Sequence, residues 1–298
     1  VRIGVALGNV GLGLRDPAGR PTGPVEHARR CLEIAAAAEE LGFDAVWAGD
    51  HLALPRQPSV GYPYAGGAPM DAETSVLDPF TVLAAVAART ERIHLGFGVL
   101  VLPLRHPLLV AKTAATLDAL SAGRVILGVG AGWLPEELDA VGASFEARGE
   151  LTDAALVDLR GLLADGATED GSLTVLPRSV QQPVPILVGG GSSRALRRAV
   201  ALADGWDAPW KDPERLSDPL AELARGCEIH GRDPAHLRVA VRATPADRLG
   251  PEVVEQYRSL GTGGIRVSDL GVHLPPVAAG EAIDVLVDLA ERLGRAGS

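Results

Sequence analysis

Short apolar runs alternate with longer amphipathic ones along almost all of this 298-residue chain, and that alternation limits the folds open to it. The runs RIGVAL (2–7), DAVWA (44–48), IHLGFGV (93–99), RVILGV (124–129), VPILV (184–188), DGWDA (204–208), LRVAVR (237–242) and GGIRVS (263–268) read as strands. Between them, residues 24–41, 79–90, 107–121, 135–140, 192–203, 213–230, 250–260 and 279–295 carry helical patterns. Strands that are apolar almost throughout suit a sheet covered on both faces. Strands alternating with helices imply right-handed parallel crossovers. Eight such units predict an α/β chain closed into a (β/α)8 barrel, the TIM barrel, as one domain over residues 1–298. The competing fold, an open doubly wound sheet, calls for a GxGxxG directly after strand one, and ALGNVGLGL does not supply a good one. Two insertions stand out, 52–78 and 141–183, after strands two and four. The second holds further helix near 149–165 and a short hairpin around SLTVL. Both lie at the strand C-termini, where a barrel keeps its active site.

Composition narrows the function classes. A chain that is 47% hydrophobic can fill a large core. A formal charge of −10 with no basic run argues against nucleic acid or an anionic membrane as partner. Two isolated cysteines, Cys31 and Cys227, make no disulfide framework and suit a reducing cytosol. The start VRIGVALGNV lacks the basic region of a signal peptide and reads as a first strand. No apolar run approaches the roughly 18–20 residues of a membrane span. The expectation is a soluble, cytoplasmic protein acting on a small-molecule substrate. The seven histidines are scattered with no HxH or HExxH, so no metal is expected.

Candidate chemistry collects at the predicted strand ends. WAGDHL places Asp50 and His51 at the end of strand two, facing the barrel mouth. Histidine exchanges a proton near neutral pH, and a carboxylate can orient it. Adjacent strand residues point to opposite faces, so the two need not touch. The structural alternative is a turn or helix cap made by Asp50, with His51 satisfied by backbone. Strand three ends LGFGVLVLPLRHP, in which Gly96 and Gly98 indicate a bulge or the close approach of a flat ligand, or else a crowded barrel layer. His106, in the following turn, reads as structural. After strand four, GVGAGW (128–133) combines small residues with an aromatic wall, Trp133. LVGGGSSRALRRA (187–199) has three glycines and two serines ahead of an amphipathic helix, an arrangement that favours a phosphate. Arg194, Arg197 and Arg198 lie inside that helix and face solvent or acidic neighbours. SDLG (268–271) is a poorer version of such a loop.

Taken together, DAVWAGDHL, DPFTVLAAVAARTERIHLGFGVLVLPLRHPLLVAKTAATLDALSAGRVILGVGAGW and PVPILVGGGSSRALRRAVALADGW resemble the luciferase-like monooxygenase superfamily, most closely its coenzyme F420-dependent oxidoreductases. The resemblance spans residues 1 to about 210. It implies a barrel, commonly homodimeric, that holds a deazaflavin or flavin at the strand C-termini. It implies that Asp50 meets the ring and that His51 serves as acid/base or places the substrate. It further implies a non-proline cis peptide at Gly98–Val99 behind the ring, with Gly130, Ala131 and Gly132 bordering it. Gly189, Gly190, Gly191 and Ser192 would receive the cofactor phosphate. The F420-dependent glucose-6-phosphate dehydrogenases carry a glutamate where this chain has Trp133 and a tryptophan where it has Pro55, so that activity is not implied. Trp133, the 52–78 loop (Tyr62, Tyr64, Met70) and Trp206 or Trp210 suggest an apolar or planar organic substrate.

The function expected is hydride transfer between reduced F420 and such a substrate, with His51 handling the proton. An FMNH2-dependent monooxygenase is the alternative within the family. A non-catalytic flavin- or deazaflavin-binding protein is the alternative from another class. A sugar-phosphate isomerase or aldolase barrel would want a base or Schiff-base lysine at a strand end, which neither Lys112 nor Lys211 clearly occupies.

Overall fold

A computed structural model describes residues 1–11, 14, 20–61, 72–209 and 212–295. Eight parallel strands form the barrel: β1 (Arg2–Ala6), β2 (Ala45–Ala48), β3 (His94–Phe97), β4 (Val125–Gly130), β5 (Ile186–Gly189), β6 (Gly205–Ala208), β7 (Arg238–Pro245) and β8 (Asp269–His273). They lie in the order β3-β2-β1-β8-β7-β6-β5-β4, and pairing of β3 with β4 closes the ring. Leu100–Val101 continues β3 beyond a break and pairs with Val129 and Gly130. Around the barrel run α1 (Pro24–Glu40), α2 (Pro79–Ala87), α3 (Pro107–Leu120), α4 (Pro135–Ala140), α5 (Arg148–Asp165), α6 (Ser193–Leu202), α7 (Ser217–Ile229), α8 (Pro251–Ser259) and α9 (Ala279–Arg292). No helix among the described residues is long and apolar enough to cross a membrane.

The eighth strand is not where the apolar run suggests. Residues 261–266 form a small antiparallel hairpin, Gly261–Thr262 with Ile265–Arg266. The barrel strand is the next segment, DLGVH. Its inward face carries Asp269 and Gly271, so only Leu270 and Val272 show an apolar pattern. SDLG is therefore part of the strand and its lead-in, not a phosphate loop. The hairpin expected around SLTVL reduces to one antiparallel bridge, Ala167 with Thr174.

Alternation along each strand sorts side chains into two cores. Outward residues such as Val46, Ala48, Leu95, Phe97, Leu127, Val129, Trp206 and Ala208 pack beneath the helices. Inward, Ala45, Trp47, Ile126, Leu187 and Ala240 form a separate apolar plug. Below the plug, Arg238 donates to both oxygens of Asp269 at 2.7 Å, and Arg2 lies 2.9 Å from the same carboxylate. Above it, Arg242 Nε meets both oxygens of Asp207 at 2.6 and 2.8 Å. The Arg242 guanidinium lies 3.7 Å over the Trp47 ring, and its Nη2 donates to Phe97 O at 3.2 Å. Burial pushes the Asp207 carboxyl up from its ordinary value, against the pull of Arg242.

These inward groups explain the strand-three glycines. A Cβ at Gly96 would sit 2.0 Å from the Trp47 ring, and one at Gly98 would sit 1.9 Å from Arg242 Nη1. Of the readings open in sequence, crowding of the barrel layer accounts for Gly96. Changing Gly96 to alanine is expected to destabilise the fold by about 3 kcal/mol, the upper end of overpacking, because Trp47 is held by its own stack and cannot give way. Chemical denaturation of the variant beside wild type checks this.

Candidate active site

At the C-terminal end of the barrel the chain breaks β3 with a cis peptide at Gly98–Val99, the bond the resemblance implies. Gly98 N donates to Ala48 O at 2.6 Å, tying the break to the end of β2. Val99 turns towards the inward glycines of the neighbouring strands. A Cβ at Gly130 would come within 2.7 Å of one Val99 methyl, and one at Gly189 within 2.8 Å of the other. Both glycines are thus needed for Val99 to reach over the barrel mouth. Gly132, at φ +80°, leaves room for Val101 in the same way. The result is a small apolar floor, half-exposed at Gly98 and Val99, capping the Arg242–Trp47 stack.

Asp50 and His51 separate as strand alternation requires. The Asp50 side chain is fully buried and bound by Arg105 Nη1 at 2.6 Å, Arg105 Nη2 at 2.9 Å and Val101 N at 2.9 Å. Burial alone would lower the Arg105 pKa; the Asp50 carboxylate outweighs it and the net shift is upward. Asp50 thus fixes the strand just beyond the cis peptide, and its side chain has no exposed surface with which to meet a ring as the resemblance implies. Asn9 secures the approach: its amide group bonds Gly49 O, Gly49 N and Leu77 O at 2.8–2.9 Å.

His51 turns the other way and meets Glu137, on α4, with Nδ1 2.8 Å from Oε2. The second carboxylate oxygen of Glu137 accepts from Leu52 N at 2.6 Å and Ala53 N at 3.2 Å. Trp133 stands edge-on to the imidazole, ring centres 5.8 Å apart. Glu136 reaches the same loop and accepts from Ser59 N at 2.6 Å. Sequence reasoning missed Glu137 because it lies 86 positions from His51. The signal available was a pair of acids in the first turn of a helix that starts just past the end of a barrel strand.

The glycine loop after β5 turns sharply into the N-terminus of α6. Gly190 has φ +114°, and Ser192 caps α6 by accepting from Ala195 N at 3.3 Å. The first-turn amides of Ser193 and Arg194 have no acceptor within the helix and point out of its end. Ser193 Oγ donates to Glu222 at 3.1 Å. Arg198 turns away, to Asp153 and Gly149 O, so it belongs to the α5–α6 packing. His106, read as structural, caps α3 by accepting from Leu108 N.

Trp206 is a correction. It points outward from β6 into the helix-covered core, wholly buried, so it does not wall a pocket. Asp207 occupies the inward position beside it. The Trp206 indole N–H donates to Gly190 O at 2.7 Å and braces the glycine loop from behind. Tyr62, Tyr64, Met70 and Trp210 lie outside the described residues.

A flat ring with a phosphate-bearing arm fits what is present. The glycine-flanked Val99 floor can take a planar face, and the Gly189–Ser192 turn offers amides to an anion. Such a group would be held by Gly98, Val99, Gly130, Ala131 and Gly132 at the ring, and by Gly189, Gly190, Gly191 and Ser192 at the phosphate.

Residues 9–267 match the family described as luciferase-like monooxygenase. An uncharacterised protein of Mycobacterium tuberculosis is 37% identical over 209 residues, 67% of this chain and 72% of its own length. Among solved structures, monooxygenase RslO1 from Streptomyces bottropensis superposes with a TM-score of 0.71 at 22% identity, covering 98% of both chains. An F420-dependent secondary alcohol dehydrogenase in complex with an F420-acetone adduct gives a TM-score of 0.69 at 17% identity, covering 100% of this chain and 99% of that one.

Proposed function

This chain belongs to the luciferase-like monooxygenase family, and from that premise we propose that it is an F420-dependent oxidoreductase acting on a small apolar or planar organic substrate. The observation that carries this reading is His51, held by Glu137 at the same barrel end as the cis Gly98–Val99 floor. Bound in its reduced form, the deazaflavin supplies a hydride to a carbonyl or unsaturated carbon. The chain's own contribution is position and a proton. Val99 and its flanking glycines set where a planar face rests, which is catalysis by orientation. His51 delivers one proton from Nε2 to the substrate atom that gains electron density, and in the reverse direction removes it. Asp50, through Val101 N and Arg105, keeps the strand behind the floor in place. Trp133 provides an aromatic wall next to His51. The reading includes a homodimer, after the family resemblance.

Titration of the purified protein with F420 and, separately, with FMN tests the proposal. Binding of F420 in the micromolar range with turnover of its reduced form is the expected result. Binding of FMN alone would move the protein to oxygen chemistry, as the fold likeness to a monooxygenase allows. Tight F420 binding with no oxidation of the reduced cofactor across a panel of ketones, enones and quinones would leave a cofactor-binding protein.

A further inference from the structure

We propose that Glu137 is a positioning residue that sets which nitrogen of His51 carries the proton, so that Nε2 is the atom that exchanges with substrate. The inference rests on the reading that His51 handles the proton of the reaction. Its basis is the bond pattern around one carboxylate. Oε1 of Glu137 takes two backbone N–H groups, from Leu52 and Ala53. Oε2 is left for His51 Nδ1 at 2.8 Å. An ionised carboxylate only accepts, so Nδ1 must be the donor. In the neutral imidazole the proton is then on Nδ1, and Nε2 presents its lone pair. Both partners are enclosed, with the His51 side chain 10% and the Glu137 side chain 4% exposed. In such surroundings a charge-assisted hydrogen bond is stronger than it is in water.

The same carboxylate holds the first residues of the 52–61 loop, and Glu136 holds Ser59 N further along it. Helix α4 therefore fixes the orientation of the base and the near wall of the mouth together. When His51 gains a second proton at Nε2, the Nδ1–H bond to Glu137 becomes an ion pair. No other titratable side chain among the described residues makes a hydrogen bond to His51.

The test reads the tautomer directly. Long-range proton–nitrogen NMR of cofactor-free protein labelled with nitrogen-15 histidine, at about pH 8 where a free imidazole is neutral, distinguishes the two nitrogens. A His51→Asn sample assigns the signal. The expected wild-type result is a protonated Nδ1 and an unprotonated Nε2. A protonated Nε2 in wild type overturns the proposal, whether or not any variant folds. Glu137→Gln keeps an amide oxygen for Leu52 and Ala53 while removing the charge. It is expected to shift His51 towards the Nε2–H form and to lower kcat on the order of 10-fold or more, with F420 affinity little changed. Unchanged tautomer and kcat in this variant also overturn the proposal. Failure of F420 or FMN to bind strikes the proposed function instead, and leaves the tautomer measurement standing.

Discussion

Replacing His51 with alanine is expected to lower turnover with reduced F420 on the order of 100-fold or more, while the cofactor binds nearly as tightly as before. General acid–base groups contribute on that scale when correctly placed. The proposed cofactor contacts lie elsewhere, on the Val99 floor and the glycine loop, so binding and turnover should separate in this variant. Steady-state kinetics beside a fluorescence titration of F420 measures both. Turnover equal to wild type would remove His51 from the reaction. A matched loss of both quantities would instead make His51 part of the binding site.

The second large effect lies under the floor. Changing Arg242 to methionine should destabilise the protein by about 3–5 kcal/mol, the cost of leaving a buried carboxylate without its partner. Asp207 is enclosed by the barrel wall and already pushed up by burial. Without the guanidinium it folds more readily as the neutral acid. A carboxyl whose folded pKa is raised contributes stability at low pH and loses it as pH rises through that pKa. The deficit of the variant should therefore grow between about pH 5 and about pH 8. Urea unfolding at both values checks the sign. Changing Asp207 to leucine in the same chain should restore much of the loss, because it removes the orphaned charge. Cofactor affinity should fall in the single variant and not recover in the double one, since Arg242 also donates to Phe97 O next to Gly98.

Much of this molecule is legible in its sequence, for a physical reason. Seven of the eight barrel strands coincide with apolar runs, even where Asp207, Arg238 or Arg242 occupies an inward position, so run length and flanking turns reveal them without knowledge of partners. The strand at 269–273 escapes because its inner face is spent on Asp269, which closes the lower end of the barrel with Arg238 and Arg2. The segment before it, with Ile265 and Val267 buried, shows the stronger local signal. Trp206 misleads for a related reason. An aromatic near a strand end invites a pocket reading, and only the parity fixed by Asp207 shows that it faces the helices. The site divides along the same line. Asp50, His51, the cis bond and the glycine turn sit in contiguous motifs. Glu137 meets His51, Arg105 meets Asp50 and Arg242 meets Phe97 O only when β2, β3, β4 and β7 close into one barrel.

The interlock beneath Val99 has a consequence for how such a protein can change its substrate. Gly96 exists for Trp47, Gly98 for Arg242, Arg242 for Asp207, and Gly130 and Gly189 for Val99. Each part is keyed to another, so a lone substitution in the floor creates a mismatch that needs a second change to repair. The rim is looser: Leu52 and much of residues 52–61 are open to solvent, and α4 grips that loop through backbone amides, which every residue except proline can supply. Selection for a new substrate would therefore travel through the rim by single steps. A library aimed at altered specificity should be spent there, with the floor left as inherited.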